Sequence, residues 1–302
     1  MEDMVIIGGG PAGLTAGIYA ARARLEVVLL EKLVAGGQIM TTDQVENYPG
    51  FPEGISGFEL ADRMKRQAEK FGLKIQDKDV SRLELSPERK LVVTENETFE
   101  TRTLILTTGA TPQRLEIEGE SLLTGRGVSY CATCDGPFFK DQEVAVIGGG
   151  DTAVEEALFL TRFAGKVYLI HRRDELRATK LLQERALAEE KISFIWDTVP
   201  TRIAGETGVE GLDLMNVKSG ETTYLPINGV FVFVGYIPNS DLVRGQVNLD
   251  DRGFVITGND METSIPGVFA AGDIRSKLLC QVSTAVGEGA TASFAAEKYL
   301  AD

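Results

Sequence analysis

The 302-residue chain is acidic, with 45 Asp and Glu against 31 Lys and Arg for a net charge of −14, which disfavours nucleic acid and anionic membrane surfaces as partners. Its length allows two domains with separate cores, and its 43% hydrophobic content is ordinary for soluble globular protein. Three cysteines and one histidine exclude a disulfide-scaffolded fold and leave few ligands for a structural metal.

The start, Met1-Glu2-Asp3-Met4, is acidic where a secretory signal is basic, and the apolar run behind it soon meets Gly8. No stretch has the length of a membrane span, so a cytoplasmic location is expected. Val5-Ile6-Ile7 reads as a buried strand entering the turn Gly8-Gly9-Gly10, with Pro11, Ala12 and Gly13 opening a helix. Such glycines allow a tight turn and a close backbone approach to a pyrophosphate, which then rests on the helix N-terminus. A second apolar strand, Val27–Leu30, ends in Glu31, an acceptor suited to ribose hydroxyls. FAD and NAD suit this unit equally well. A later strand closes in Gly109-Ala110-Thr111-Pro112.

Cys131-Ala132-Thr133-Cys134-Asp135 follows. The C-x-x-C spacing lets two sulfurs close a short disulfide and lets local amides stabilise one thiolate. Half of a zinc site is the competing reading, but one remote cysteine and a single histidine are a poor supply of further ligands. Dithiol chemistry also needs a proton carrier. Asp135 is the nearest carboxylate, and burial would raise its pKa toward a useful range; a turn or capping aspartate is the alternative.

The first nucleotide unit then recurs at an offset of 140 residues without a gap, Ala145-Val146-Ile147-Gly148-Gly149-Gly150 matching Val5–Gly10. Asp151, Thr152 and Ala153 open the second helix, Ala153 falling on Gly13. The second strand of this copy ends in His171, with Arg172, Arg173 and Arg177 behind it. A carboxylate there would repel a 2′-phosphate and a basic cluster binds one, which favours NADPH over NADH. The unit closes in Gly235-Tyr236-Ile237-Pro238, with the same Gly-x-x-Pro spacing as before. Polar residues 239–251 lead to Ile265–Asp273, a buried strand ending in Gly272 and Asp273, and to a helix over about 284–299. This last block is too short to be a domain and is expected to complete the first one. The reading is therefore an α/β protein of two Rossmann-like dinucleotide-binding domains. One is discontinuous, over 1–113 and 246–302, and the other is inserted at 114–245, the two crossings forming a candidate hinge.

With those motifs in place the chain resembles the bacterial low-molecular-weight thioredoxin reductases over essentially its whole length. Gly36-Gly37-Gln38, Glu46-Asn47-Tyr48-Pro49-Gly50, Cys131–Gly136, His171–Arg177 and Gly267–Asp273 carry the likeness. The resemblance implies FAD on the discontinuous domain, contacted by the first glycine turn, Glu31, Gly36, Gly37, Gln38, Asn47, Gly109, Gly272, Asp273, Gln281 and Val282. It implies NADPH on the inserted domain, a homodimer, and a rotation that presents either the nicotinamide or the cysteine pair to the flavin. It further implies that Cys134 faces the flavin, that Asp135 manages protons and that Cys131 attacks the disulfide of a separate thioredoxin or thioredoxin-like protein. A flavin-dependent dithiol oxidase or a ferredoxin-driven reductase would use the same cysteines, but relatives of that kind tend to lack the basic cluster kept here. Many relatives have arginine where this chain has Cys280, which is expected to pack rather than to react.

Overall fold

Every residue from Met4 to Ile7 is apolar because the strand they form is covered on both faces, the usual condition of a parallel sheet between helices. Met4 and Ile6 point into one core, with Leu14 and Leu29, and Val5 and Ile7 into another, with Val28 and Leu104. The computed structural model describes residues 1–42 and 45–301, apart from the side chains of Thr41 and Cys134. The chain forms two compact units, one of Met1–Thr111 with Ile237–Asp302 and one of Pro112–Tyr236.

The first unit begins with β1 (Glu2–Ile7), α1 (Pro11–Arg22), β2 (Val27–Glu31), α2 (Gly57–Lys70), β3 (Lys74–Asp77), β4 (Val80–Leu85), β5 (Lys90–Thr94) and β6 (Thr98–Leu106). Its sheet runs β3-β2-β1-β6-β5-β4, parallel as far as β6 and antiparallel beyond it. The chain leaves along β7 (Ala110–Pro112).

In the second unit α3 (Glu120–Leu123), β8 (Val128–Ser129) and the single turn α4 (Ala132–Asp135) lead to β9 (Glu143–Gly148), α5 (Asp151–Leu160), β10 (Lys166–Ile170), α6 (Lys180–Ala188) and β11 (Ile192–Ile195). A meander of β12 (Thr198–Ala204), β13 (Gly211–Asn216) and β14 (Thr222–Pro226) follows, and β15 (Gly229–Phe233) completes a parallel sheet ordered β11-β10-β9-β15-β8. The 140-residue repeat is carried into structure: α1 and α5 begin at Pro11 and Asp151, each directly after its third glycine. The strand before α5 again divides its side chains, Val144 and Val146 to one core and Ala145 and Ile147 to the other.

The chain returns along β16 (Tyr236–Pro238) and adds β17 (Val268–Ala270) in parallel to the C-terminal half of β6. The final helix, α7 (Val282–Ala301), packs on α1. Gly289 permits that approach, since a Cβ there would lie 2.2 Å from the Ala12 carbonyl oxygen. The unit boundaries fall at 111/112 and 236/237, whereas the sequence suggested 113/114 and 245/246. Residues 237–245, expected in the inserted domain, are anchored in the first unit. Asn239 exchanges hydrogen bonds with Thr108 and donates its N–H to the Gly109 carbonyl at 2.9 Å, and Val243 is fully buried with Val5 and Val28. Among the described residues no helix is long and apolar enough to cross a membrane.

Candidate active site

The first glycine turn lies at the C-terminal edge of its sheet between β1 and β6, where the strand order reverses and where doubly wound sheets bind ligands. Gly8 has φ 104°, and a Cβ on it would come 2.3 Å from the Thr107 carbonyl oxygen at the exit of β6. A Cβ on Gly13 would come 1.9 Å from the Gly8 carbonyl oxygen, so this glycine sets how closely α1 seats on the turn. Gly10 precedes α1 without a side-chain cap, Pro11 follows, Ala12 is buried, and no acid sits in the first turn. The positive end of the helix is thus open to an anion.

Glu31 braces this turn as well as ending β2: Oε2 accepts the Gly9 N–H at 2.7 Å and Oε1 the Leu33 N–H at 3.0 Å. Gly36 donates its N–H to the Gly9 carbonyl at 2.8 Å, and a Cβ on Gly37 would lie 2.9 Å from the Gly10 Cα. Gln38 Nε2 donates to the Ala110 carbonyl. Gly109, left-handed at φ 68°, has open space around it. Asn47 Nδ2 donates to Gln281 Oε1 at 3.0 Å across 234 positions of sequence, and Gln281 directly precedes Val282, the first residue of α7.

Around Gly272 and Asp273 the structure shows a charge network absent from the sequence reading. Gly272, with φ 80°, donates its N–H to Glu288 Oε2 at 2.8 Å. Lys277, 6% exposed, bridges Glu288 at 3.2 Å and Asp273 at 3.0 Å, and Arg275 pairs with Glu288 at 2.9 Å. Asp273 Oδ1 is buried, and the ion pair with Lys277 is its one polar contact among the described residues. One signal could have found Glu288: it is the lone charged residue in the first fourteen positions of α7, which are otherwise uncharged. Cys280 is a free, exposed cysteine.

In the second unit the glycine turn again lies at the strand-order reversal, between β9 and β15. A cleft of about 160 Å³ opens there, walled by Gly150, Asp151, Thr152, Ala153 and Arg177 and by the exit of β15 from Val232 to Tyr236. The N-terminus of α5 is uncapped, and nothing lies within 4 Å of a Cβ placed on Gly150. Ala153 takes the place of Gly13 and fits because Gly148 yields the room: a Cβ on Gly148 would lie 2.6 Å from that of Ala153. Asp151 Oδ1 accepts the Thr179 N–H at 2.6 Å, and Gly149 accepts the Arg177 N–H at 2.7 Å, so the basic segment folds back on the turn.

His171 is 4% exposed, and its ring lies on Gly149, where a Cβ would come 2.4 Å from Nδ1. Burial lowers its pKa below 6.5, and the charges of Arg177, Arg173 and Arg172 lower it further. The imidazole is therefore neutral at neutral pH, with a buried Nε2 that has no partner among the described residues. The positive charge of the cluster resides on Arg172, Arg173 and Arg177, which are exposed and carry no ion pair among the described residues.

The cysteine turn belongs to this same unit. Cys131 is half-buried and disulfide-bonded; the side chain of Cys134 lies outside the described residues. Ser129 Oγ accepts the Cys131 N–H at 3.0 Å and donates to its carbonyl at 3.1 Å, holding the entry to α4. Asp135 ends α4, half-buried, and its carboxylate caps no helix. Ala132 is fully buried with Val154 and Ala157, and Gly136 lies against Leu160, so the turn is seated on the helix that carries the second glycine turn. Tyr130, next to Cys131, donates to Glu120 Oε1 at 2.6 Å. Glu120 is 1% exposed and also accepts the Leu115 and Glu116 N–H groups. Sequence reasoning missed this clip, because an exposed-looking Glu in a Gly-Glu-Ser stretch carries no burial signal. Among the described residues no group of three or more His, Cys, Asp or Glu is placed to hold a metal.

Residues 2–289 match the family model for pyridine nucleotide-disulphide oxidoreductases. A thioredoxin reductase of Mycolicibacterium smegmatis is 52% identical over 100% of this chain and 97% of its own length. A bifunctional thioredoxin reductase/thioredoxin of Mycobacterium leprae is 48% identical, over 100% of this chain and 66% of that protein. The crystal structure of Lactococcus lactis thioredoxin reductase superposes with a TM-score of 0.97 at 47% identity, covering 100% of this chain and 99% of that one. The chain belongs to the pyridine nucleotide-disulphide oxidoreductase family and, within it, to the thioredoxin reductases.

Proposed function

We propose that this chain is an NADPH-dependent, FAD-containing thioredoxin-disulfide reductase. In this reading the first unit holds FAD and the second holds NADPH. Cys131 and Cys134 pass two electrons to the disulfide of thioredoxin or a thioredoxin-like protein. The observation that carries it is the pairing of two open glycine turns with a disulfide-bonded Cys131 seated beside the second of them.

The residues fit both nucleotides. The uncapped start of α1 and the open space at Gly109 suit a pyrophosphate and its sugars, and Asp273, paired with Lys277, would add a carboxylate to that site. Asn47, Gln281 and Val282 would line the same cofactor. In the second unit the cleft over Gly150–Ala153 suits a second pyrophosphate, and Arg172, Arg173 and Arg177 supply charge for a 2′-phosphate. FAD, when bound, supplies a two-electron carrier between a nicotinamide and a disulfide.

The dithiol then acts by exchange. The Cys131 thiolate attacks one sulfur of the partner disulfide and expels the other as a thiolate. Cys134 next attacks the mixed disulfide, restoring the Cys131–Cys134 bond and releasing reduced partner. Asp135, at the end of the same turn, would carry the protons. The M. leprae relative's name joins reductase to thioredoxin in one chain, which supports that partner. A homodimer fits the apolar side chains exposed on the first unit, among them Val34, Phe58 and Phe294. A reducing cytoplasm is where a cycling dithiol and the free Cys280 would persist.

Stopped-flow reduction of the purified flavoprotein tests the electron source. The expected result is fast bleaching of the flavin by NADPH, slow bleaching by NADH, and one NADPH oxidised per thioredoxin disulfide reduced. Equal rates with both nucleotides, or turnover with neither, would contradict it.

A further inference from the structure

The segment bearing the three arginines is not purely basic: Asp174 and Glu175 stand between Arg173 and Arg177. Asp174 directly follows Arg173, and Asp197 bonds through its N–H to the Arg173 carbonyl, so two carboxylates add negative charge to the arginine segment. A cation from a distant part of the chain lies against both. Lys218 Nζ is 2.9 Å from Asp174 Oδ2 and 3.0 Å from Asp197 Oδ1.

Its position is built by the backbone. The turn between β13 and β14 is closed by Asn216, whose Oδ1 accepts the N–H groups of Lys218 and Ser219 at 3.0 Å, and by Gly220 at φ 74°. That turn is stitched to the arginine segment through Asp197. The Asp197 carbonyl accepts the Val217 N–H at 2.6 Å, and the Asp197 N–H donates to the Arg173 carbonyl at 3.2 Å. Asp197 adopts φ 51°, a conformation that costs a non-glycine residue energy and that this stitching holds in place. His171 joins from the other side, its carbonyl accepting the Thr198 N–H at 3.0 Å. The charged side chains on this segment and against it are Arg172, Arg173, Arg177, Lys180 and Lys218 on the positive side and Asp174, Glu175 and Asp197 on the negative.

We infer that Lys218 is a specificity-determining residue for the 2′-phosphate of NADPH: by neutralising Asp174 and Asp197 it keeps Arg172 and Arg173 available to the nucleotide. Without it the two carboxylates draw the neighbouring guanidiniums into internal pairs and repel the phosphate. The inference rests on the reading that this segment recognises a 2′-phosphate, and the test separates the two.

Binding of adenosine 2′,5′-bisphosphate and of 5′-AMP to the flavin-loaded enzyme is measured by calorimetry for the parent, Lys218→Ala, Lys218→Arg and Lys218→Ala/Asp174→Asn. Lys218→Ala is expected to weaken the bisphosphate about two- to fivefold, the span of an exposed ion pair, and to leave 5′-AMP unchanged. Lys218→Arg and the double variant are expected to restore it. A parent with no preference for the bisphosphate would overturn the 2′-phosphate reading itself. If the parent has that preference, unchanged bisphosphate binding in Lys218→Ala overturns the inference alone, as does an equal loss for both ligands or a double variant as weak as the single.

Discussion

Glu31 and His171 hold equivalent places in the two repeats and act differently there. Glu31 is a charged acceptor that locks the Gly9 amide, whereas His171 is a buried neutral ring lying on Gly149. Because the chain has a single histidine, its imidazole resonance is unambiguous in a proton NMR titration, and its midpoint is expected below 6.5. A depressed folded-state pKa means the folded state resists protonation. His171 therefore contributes stability above pH 6.5 that is lost as pH falls through the folded value. Thermal unfolding of His171→Gln is expected to lose this part of the acid sensitivity; an unchanged pH profile would contradict it.

At the same scale, burial and the Glu120 carboxylate push the Tyr130 hydroxyl up to about 12. Its contribution to stability is complete below pH 10 and disappears as pH rises toward 12. Replacing Glu120 with Ala leaves two backbone N–H groups and a tyrosine hydroxyl without their acceptor, and denaturant unfolding is expected to show a loss of about 2–4 kcal/mol. A loss within the error of the measurement would mean that water replaces the carboxylate.

At the scale of elements, the two glycine turns differ in which residue gives way. In the first, Gly13 has no freedom, since its Cβ would strike the Gly8 carbonyl oxygen and that oxygen belongs to backbone fixed by β1 and β6. Gly13→Ala is expected to lift α1 off the turn and to purify with markedly less bound flavin. Ala153→Gly, in the second turn, is expected to cost only the helix propensity of glycine, about 1 kcal/mol, with nucleotide binding kept. Comparable flavin loss in both variants would contradict this difference.

Both turns were legible in the sequence because a strand covered on both faces must be apolar throughout, and a glycine run directly after it has few other uses. The side chains that complete the sites were not legible. Asn47 meets Gln281, and Glu288 meets Gly272, Arg275 and Lys277, only because α7 folds back across the first unit. Likewise Lys218 reaches Asp174 through a hairpin whose sequence is unremarkably polar. Contacts of this kind depend on long-range placement, which local pattern does not encode.

At the scale of the molecule, one Rossmann-like unit is inserted into another, and the polar stretch after β16 illustrates how composition misplaces such a boundary. Residues 239–251 are mostly polar, but Val243 and Val247 among them are buried in the first unit, and Gln246 bonds to the Leu83 carbonyl at 3.2 Å. A boundary follows where apolar side chains are buried rather than where polar ones accumulate. The inserted unit carries both a nucleotide turn and the cysteine turn on α5, so a disturbance of that helix is felt by both.

If electrons leave only through the cysteine pair, Cys134→Ser separates flavin reduction from thioredoxin reduction, with the flavin as an internal control. NADPH is expected to bleach the flavin of this variant as fast as that of the parent, while thioredoxin-dependent NADPH oxidation is lost. Thioredoxin reduction at the parental rate in Cys134→Ser would show that electrons leave by another route.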